Sequence, residues 1–240
     1  MKPALLKIQD LQIHAGSNSL VHLPNLQLES GEMHGVVGES GSGKSITLFV
    51  IMGLISNQLK VSGSVQFEGV ELLGLQDDVW QTLRGKRIGM VFQEPMTALN
   101  PVMRCGDQVD ELLATHTDWN AEKRKAEVMR VFESVRLPDP LRIYESFPHQ
   151  LSGGQRQRIV IAMAVILKPA LLICDEPTTA LDVTTQKEIL KLISQLQAEQ
   201  GCAVLFITHD MGVVAEIADD VLVMNQGRAV ESGSCDQVLR

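Results

Sequence analysis

The fold is decided by residues 38–45, which read Gly38-Glu39-Ser40-Gly41-Ser42-Gly43-Lys44-Ser45. This stretch, the phosphate loop, follows a short apolar run over 33–37 and precedes an apolar run over 45–55 that predicts a buried helix. Gly38 and Gly43, with four residues between them and followed by Lys and Ser, let backbone N–H groups turn inward around a polyphosphate at a helix N-terminus. Lys44 would then neutralise the β- and γ-phosphates, and the Ser45 hydroxyl would complete a Mg²⁺ shell. The alternative, a chance glycine-rich turn, does not explain this context.

A second motif supports the same chemistry. Residues 171–176 form an apolar strand that ends in two carboxylates, Asp175 and Glu176. At a strand end of a nucleotide site, the first acid would hold Mg²⁺ through its water shell and the second would polarise the attacking water. The alternative is a solvated Asp-Glu turn before Pro177, and the phosphate loop upstream makes it the weaker interpretation.

The remaining pattern predicts an α/β fold. Apolar runs predict strands over 6–14, 20–28, 33–37, 61–68, 88–92, 171–174, 203–208 and 221–224, and helices over 45–55, 155–167, 185–199 and 211–218. The segment 95–148 has few strand signals, and Asn120 is placed to cap a helix there. We therefore expect a P-loop NTPase core with a mostly parallel sheet flanked by helices, an N-terminal antiparallel β subdomain and an inserted α-helical subdomain. The core would comprise 1–92 and 151–240, and the helical subdomain 93–150.

Composition narrows the function classes. The 240 residues carry 21 Lys and Arg against 29 Asp and Glu, a net charge of −8, which argues against nucleic-acid binding. The four cysteines lie far apart without a CxxC pair, so they predict reduced thiols rather than a metal site or a disulfide framework. No stretch reaches the roughly 18 to 20 apolar residues that span a bilayer.

A third segment, Leu151-Ser152-Gly153-Gly154-Gln155, precedes the helix predicted over 155–167. Alone it is a Ser-capped helix start with two flexible glycines. Its position between the phosphate loop and the acidic strand end makes the chain resemble an ATP-binding-cassette (ABC) ATPase, in which it is the signature segment. Gln93 then resembles the Q-loop, Ala180-Leu181-Asp182 the D-loop and His209 the switch histidine. The resemblance covers nearly the whole chain.

Finer motifs are similar to the oligopeptide/dipeptide/nickel importer branch of this family. They are the stretches over 92–101, 148–150 and 175–184. Two features depart from the family pattern. The place of the usual adenine-stacking aromatic reads Ile13-His14-Ala15-Gly16, where His14 is a candidate substitute and a solvated loop histidine is the alternative. Branch members also continue with a C-terminal extension, so we expect either a truncated chain or the first half of a fused double cassette.

The resemblance implies a mechanism. Two cassettes close head to tail around two ATP molecules, so ATP and Mg²⁺ are the expected cofactors. Residues 38–45 would bind ATP in one chain, and the signature residues Ser152, Gly153, Gly154 and Gln155 would act on the γ-phosphate in trans. Glu176, His209 and Gln93 would be catalytic. Ser45, Gln93 and Asp175 would bind Mg²⁺, directly or through its water shell.

The implied partners are a second ABC ATPase subunit, identical or different, and transmembrane permease subunits. An extracytoplasmic solute-binding protein would be an indirect partner. The chain would then act as a peripheral subunit at the cytoplasmic face of the inner or plasma membrane, powering import of short peptides, nickel or peptide-like solutes. The alternative is a soluble ABC ATPase of the translation-factor or DNA-repair type.

Overall fold

The computed structural model describes residues 4–179 and 181–238, and for Met96 the backbone alone. The chain divides into two compact units, which we call unit 1 (Met1–Arg84 and Gln197–Arg240) and unit 2 (Gly85–Leu196). These units differ in their bounds from the core and helical subdomain expected from the sequence, and that finer division stays a prediction.

The strands of the described residues are β1 (Ala4–Ala15), β2 (Asn18–Glu29), β3 (Met33–Val37), β4 (Leu59–Phe67), β5 (Val70–Glu71), β6 (Ile88–Val91), β7 (Leu171–Asp175), β8 (Ala203–Thr208), β9 (Asp220–Asn225) and β10 (Arg228–Ser234). The helices are α1 (Lys44–Ile51), α2 (Asp77–Leu83), α3 (Pro95–Ala98), α4 (Cys105–His116), α5 (Ala121–Ser134), α6 (Pro140–Glu145), α7 (Gly153–Val165), α8 (Val183–Gln200), α9 (Met211–Ile217) and α10 (Cys235–Val238). None of these helices is long and apolar enough to cross a membrane.

Unit 1 contains a sheet with the strand order β5-β4-β1-β2-β10-β9-β3-β8. The long strands β1, β2 and β4 pair antiparallel, as expected for the N-terminal β subdomain. Strand β3 lies between β9 and β8 and is parallel to both. Every residue of β3 and β8 is buried, which is why their sequences read as continuous apolar runs instead of alternating ones. The prediction of an α/β fold with a parallel core is confirmed.

Helix α1 ends earlier than the apolar run over 45–55 predicts. Gly53 has a φ of 61°, and it donates its N–H to Val50 O while Leu54 donates to Phe49 O, at 3.0 and 2.7 Å. These two bonds are those of a Schellman motif, which closes a helix with a left-handed residue, usually glycine, just after its last turn. The predicted helical extension to residue 55 is therefore wrong, since the glycine stops the helix inside the apolar run.

Unit 2 contains the parallel pair β6 and β7, with Ile88 opposite Leu171 and Val91 opposite Cys174. It also contains helices α3 to α7 and most of α8. Asn120 caps α5 as predicted, because its side chain accepts a hydrogen bond from Lys123 N at 2.9 Å. The sequence analysis did not predict β5, α2, β10 or α10. These elements are short or strongly exposed, so they lack a regular apolar pattern.

The helices of unit 2 provide a matched pair of leucines. Leu113 in α4 is 1% exposed and Leu141 in α6 is 54% exposed. We expect Leu113→Ala to lower the free energy of unfolding by about 2–5 kcal/mol, because it removes buried methyl groups and leaves a cavity. Leu141→Ala should change it by less than about 0.5 kcal/mol. Urea denaturation followed by circular dichroism measures the free energy of unfolding of both variants. An equal decrease in the two would contradict the burial of Leu113 in α4.

Candidate functional site

The phosphate loop connects β3 to α1 in unit 1. Gly41 and Gly43 have φ angles of 80° and 97°, a left-handed region in which a side chain would be strained. Gly43 is also the N-cap of α1 and has no side chain to cap it, and no acidic residue lies in the first turn of that helix. The amino end of α1 therefore presents backbone amides and a positive dipole end to the loop, an arrangement suited to an anion.

Lys44 is held by the loop itself. Its Nζ donates to the carbonyl oxygens of Gly38 and Glu39 at 2.7 and 2.8 Å, and lies 3.4 Å from Ser42 Oγ. The residue is 5% exposed. A buried ammonium without such acceptors would be costly, so these carbonyls fix the side chain inside the loop. Glu39, Ser40 and Gly41 are exposed at the rim, and Ser45 is exposed in the first turn of α1.

The loop is backed by the turn between β9 and β10. A Cβ on Gly38 would lie 2.2 Å from Met224 O, and a Cβ on Gly43 would lie 2.7 Å from a methyl group of Val21. Gly227 donates its N–H to Ser42 O at 3.1 Å. These approaches allow only glycine at both loop positions. The sequence analysis did not predict this packing of the β9–β10 turn and Val21 against the phosphate loop, which we call the wall behind the loop. Asn225-Gln226-Gly227 is nevertheless an ordinary turn signal after an apolar strand.

His209 lies beside the phosphate loop in the topology of unit 1. Strands β3 and β8 are parallel neighbours with Val37 opposite Thr208, so the residues that follow both strands leave the same edge of the sheet. Asp210 caps α9 by accepting from Gly212 N and Val213 N at 2.8 and 3.3 Å. This cap fixes the turn on which the exposed His209 sits.

In unit 2, the ends of β6 and β7 bring Gln93 and Glu176 together. Gln93 Nε2 donates to Glu176 Oε2 at 3.3 Å, and Thr179 Oγ1 donates to the same oxygen at 2.8 Å. Glu176 has a φ of 45°, unusual for a residue other than glycine. Asp175 just before it is 7% exposed and ends β7. The sequence predicted Gln93, Asp175 and Glu176, but not the contact from Thr179, for which no local signal exists.

The signature segment starts α7 with a capping box. Ser152 Oγ accepts from Gln155 N at 3.3 Å, and Gln155 Oε1 accepts from Ser152 N at 3.1 Å. A Cβ on Gly154 would lie 2.9 Å from Thr185 Cγ2, so the helix start approaches α8 closely. Ser152 is exposed. The helix predicted to start at Gln155 therefore starts two residues earlier, at Gly153.

The D-loop and His14 are the two remaining features that the sequence predicts. Of the predicted D-loop, Ala180 lies outside the described residues. Asp182 accepts hydrogen bonds from Thr184 N, Thr185 N and Thr185 Oγ1. These bonds, those from Thr185 most of all, lower the pKa of the Asp182 carboxyl. His14 is half-buried near the end of β1, opposite Ser19 of β2 and Lys60 of β4. It is therefore a strand residue and not a loop residue.

These residues fit a nucleotide and its metal. The loop offers backbone N–H groups, a glycine cradle that a Cβ would fill and a buried ammonium, which together suit a polyphosphate. The Ser45 hydroxyl of unit 1 is a hard oxygen ligand of the kind that Mg²⁺ prefers, and so, taken by itself, is the Asp175 carboxylate of unit 2.

Comparisons with known proteins agree with this assignment of chemistry. Residues 21–179 match the family model described as ABC transporter. The oligopeptide transport ATP-binding protein OppD of Salmonella typhimurium is 45% identical over 238 residues, covering 98% of this chain and 71% of the relative. The glutathione import ATP-binding protein GsiA of Salmonella paratyphi A is 50% identical over 221 residues, but this chain spans 36% of its length.

Among solved structures, the ATP-binding cassette MJ0796, a dimer in a post-hydrolysis state bound to ADP and Pi, superposes with a TM-score of 0.84. It is 28% identical in sequence, and the match covers 96% of this chain and 98% of that chain.

The Thr179 contact gives a test of the residues that the sequence predicts to be catalytic. Thr179→Val keeps the shape but removes the hydroxyl that donates to Glu176. Loss of one hydrogen bond of about 0.5–1.5 kcal/mol would lower kcat for ATP hydrolysis about 2- to 13-fold. Thr179→Ser should retain the rate, and KM for ATP and the melting temperature should not change in either variant. A wild-type kcat in Thr179→Val would show that this contact does not position Glu176.

Proposed function

The chain belongs to the ABC transporter family, and from that premise we propose that it is the ATP-binding and ATP-hydrolysing subunit of an importer for short peptides. Nickel and peptide-like solutes are the other candidate cargoes. The observation that carries the proposal is the phosphate loop, in which a buried Lys44 ammonium donates to the backbone carbonyls of Gly38 and Glu39, two acceptors that phosphate oxygens can replace.

We assign nucleotide binding to residues 38–45. Backbone N–H groups of the loop and of the first turn of α1 would donate to the phosphate oxygens, and Lys44 would move its hydrogen bonds from the carbonyls to the β- and γ-phosphates. His14, in β1, is the proposed contact for adenine. Mg²⁺, when bound, would neutralise charge on the phosphates, and Ser45, Gln93 and Asp175 would hold it.

Hydrolysis is assigned to Glu176 with Gln93 and His209. Glu176 would accept a proton from the attacking water or orient it, since a carboxylate is the base in this set. Gln93, already bonded to Glu176 at 3.3 Å, would position the water or the metal. His209 would donate a hydrogen bond to the γ-phosphate.

The signature segment is proposed to act in a second chain. Ser152 is exposed at the start of α7, where a hydroxyl and helix amides suit an anion. In a head-to-tail dimer, Ser152, Gly153, Gly154 and Gln155 would contact the γ-phosphate bound by the partner. The dimeric form of the MJ0796 cassette, bound to ADP and Pi, supports this arrangement. The partner subunit is either a second copy or a related cassette.

A permease is the proposed membrane partner. The segment 93–150 carries strongly exposed apolar side chains, among them Val102 at 79% and Leu141 at 54%, that a membrane subunit would cover. The names of the OppD and GsiA relatives support peptide-like cargo, and an extracytoplasmic solute-binding protein is the proposed indirect partner that would deliver it. The chain would then be peripheral at the cytoplasmic face of the inner or plasma membrane. The net charge of −8 argues against a nucleic-acid partner.

The alternative, a soluble ABC ATPase in translation or DNA repair, is not favoured. Both curated relatives named above are transport proteins, and no feature of the described residues supports a nucleic-acid interface.

Glu176→Gln tests the hydrolytic and dimeric parts of the proposal together. The amide keeps the shape and the bonds to Gln93 and Thr179 but cannot accept a proton, so kcat for ATP hydrolysis should fall by about 10²- to 10⁴-fold while ATP binding persists. With ATP and Mg²⁺, light scattering after size exclusion should detect accumulated dimers, either of this chain or with its partner cassette. Glu216→Gln, on an exposed part of α9, is the matched control and should behave as wild type.

The same variant tests transport. When Glu176→Gln replaces the chromosomal copy, uptake of a radiolabelled tripeptide should fall to background, and the Glu216→Gln strain should retain uptake. Wild-type ATPase activity in Glu176→Gln would contradict the assigned base. Lost ATPase with unchanged uptake of peptide and nickel would contradict the importer function alone.

A further inference from the structure

Three side chains converge where β3 and β9 begin, at the opposite end of β3 from the phosphate loop. Glu32 lies in the turn between β2 and β3, His34 is the second residue of β3, and Asp220 is the first residue of β9. His34 and Asp220 are direct partners in the parallel ladder, so both side chains leave the same face of the sheet. One donor atom from each of the three residues lies within 4.8 Å of the others.

The positions of two of these groups are fixed by hydrogen bonds. Glu32 Oε2 accepts from Glu29 N at 2.6 Å, and Glu32 Oε1 lies 3.4 Å from His34 Nδ1. The neighbouring Asp219 has a different role, since its carboxylate accepts from Met33 N at 2.8 Å. Asp220 is therefore the carboxylate that the strand register delivers to the cluster.

The cluster is short of positive charge. Glu32 and Asp220 are partly buried, and within 4–179 and 181–238 neither forms an ion pair with Lys or Arg. Burial and then the charge of Glu32 raise the pKa of Asp220. Burial opposes ionisation of Glu32 too, but hydrogen bonds from His34 and Glu29 N leave its pKa lowered. Two partly buried carboxylates whose donor atoms lie within 4.8 Å of each other and of the imidazole make a site for a cation.

His34 gives an independent sign of a ligand. The residue is 7% exposed, and among the described residues its Nε2 is buried without any hydrogen-bond partner. A buried polar atom left unpaired costs about 1–3 kcal/mol, so such an atom calls for an explanation. The ring lines a cleft of about 260 Å³ together with Asp220 and polar residues such as Asn25 and Ser232. Asp220 also lines a second cleft with Glu32.

We propose that Glu32, His34 and Asp220 bind a divalent transition-metal ion, with Zn²⁺ as the best match, at a site separate from that of ATP and Mg²⁺. One imidazole nitrogen with two carboxylate oxygens suits Zn²⁺, whereas Mg²⁺ and Ca²⁺ prefer oxygen ligands alone. Zn²⁺ ligands lie about 2.0–2.2 Å from the metal, so small side-chain rotations would close the present spacing. Water from the open clefts would complete the shell.

Binding would join the turn between β2 and β3 to the start of β9. It would also remove the repulsion between the two carboxylates and provide an electron-pair acceptor for the imidazole. The expected role is stabilisation of unit 1, because a ligand that binds only the folded state raises its stability. This inference does not depend on the proposed transport function, and its readouts need no ATP.

The test uses the full 240-residue chain, freed of metal by a chelator and kept reduced without nucleotide. Zn²⁺ is titrated by calorimetry, and bound metal is counted by mass spectrometry after dialysis. We expect one equivalent per chain and a higher melting temperature with Zn²⁺. His34→Ala and Asp220→Asn should each weaken Zn²⁺ binding about 10- to 100-fold and abolish the thermal shift.

Two control variants separate this site from other donors. His22→Ala removes an exposed histidine that lies 3.1 Å from Asp10, and it should leave Zn²⁺ affinity unchanged. Cys235→Ser removes a thiol whose backbone N donates to Asp219 O, and it should also bind Zn²⁺ as wild type. If His34→Ala misfolds, His34→Gln keeps most of the volume and a polar end and should show the same loss.

The proposal is overturned if Zn²⁺ affinity is unchanged in the folded His34 and Asp220 variants. It is also overturned if Cys235→Ser or His22→Ala causes the loss instead, or if the wild-type chain binds less than one equivalent. A thermal shift that persists in His34→Gln would place the metal elsewhere.

Discussion

The burial of the Lys44 ammonium is the constraint on which the nucleotide site depends. A charge that is 5% exposed needs acceptors close by, and the loop provides them as the backbone carbonyls of Gly38 and Glu39. The loop can wrap around the ammonium only because its glycines take left-handed angles and let other backbone segments approach. These two carbonyl oxygens hold the ammonium at the centre of the loop.

Other candidate site residues lie just after the carboxyl ends of parallel strands. In unit 1, parallel pairing of β3 with β8 places the turn of His209 at the same sheet edge as the phosphate loop. In unit 2, parallel pairing of β6 with β7 brings Gln93 to the carboxylate of Glu176. Thr179 adds a second donor to the same oxygen of Glu176. Each set of residues comes from distant parts of the sequence, and strand register alone brings its members together.

The sequence predicted the parts of the site that are local in the chain. The phosphate loop, the acidic end of β7 and the Ser152 cap are each a short motif with its own physical rule, so spacing revealed them. The wall behind the loop was missed because Gly227 and Val21 reach it through tertiary packing. The end of α1 was missed because Gly53 interrupts the helix within an unbroken apolar run. The cluster of Glu32, His34 and Asp220 was also missed, since His34 and Asp220 become neighbours only through parallel register.

The central claim is that the buried Lys44 ammonium binds the phosphates of ATP. Equilibrium binding of ATP to Lys44 variants tests it most directly. A fluorescent ATP analogue would be titrated with Mg²⁺ into the wild-type chain, into Lys44→Ala and into Lys191→Ala, which changes an exposed lysine of α8. The account predicts one saturable site in the wild type and in Lys191→Ala, and an affinity at least about 10-fold weaker in Lys44→Ala, a difference of about 1.4 kcal/mol. Equal affinity in wild type and Lys44→Ala, with both chains folded, would contradict the assignment of the buried ammonium to the phosphates.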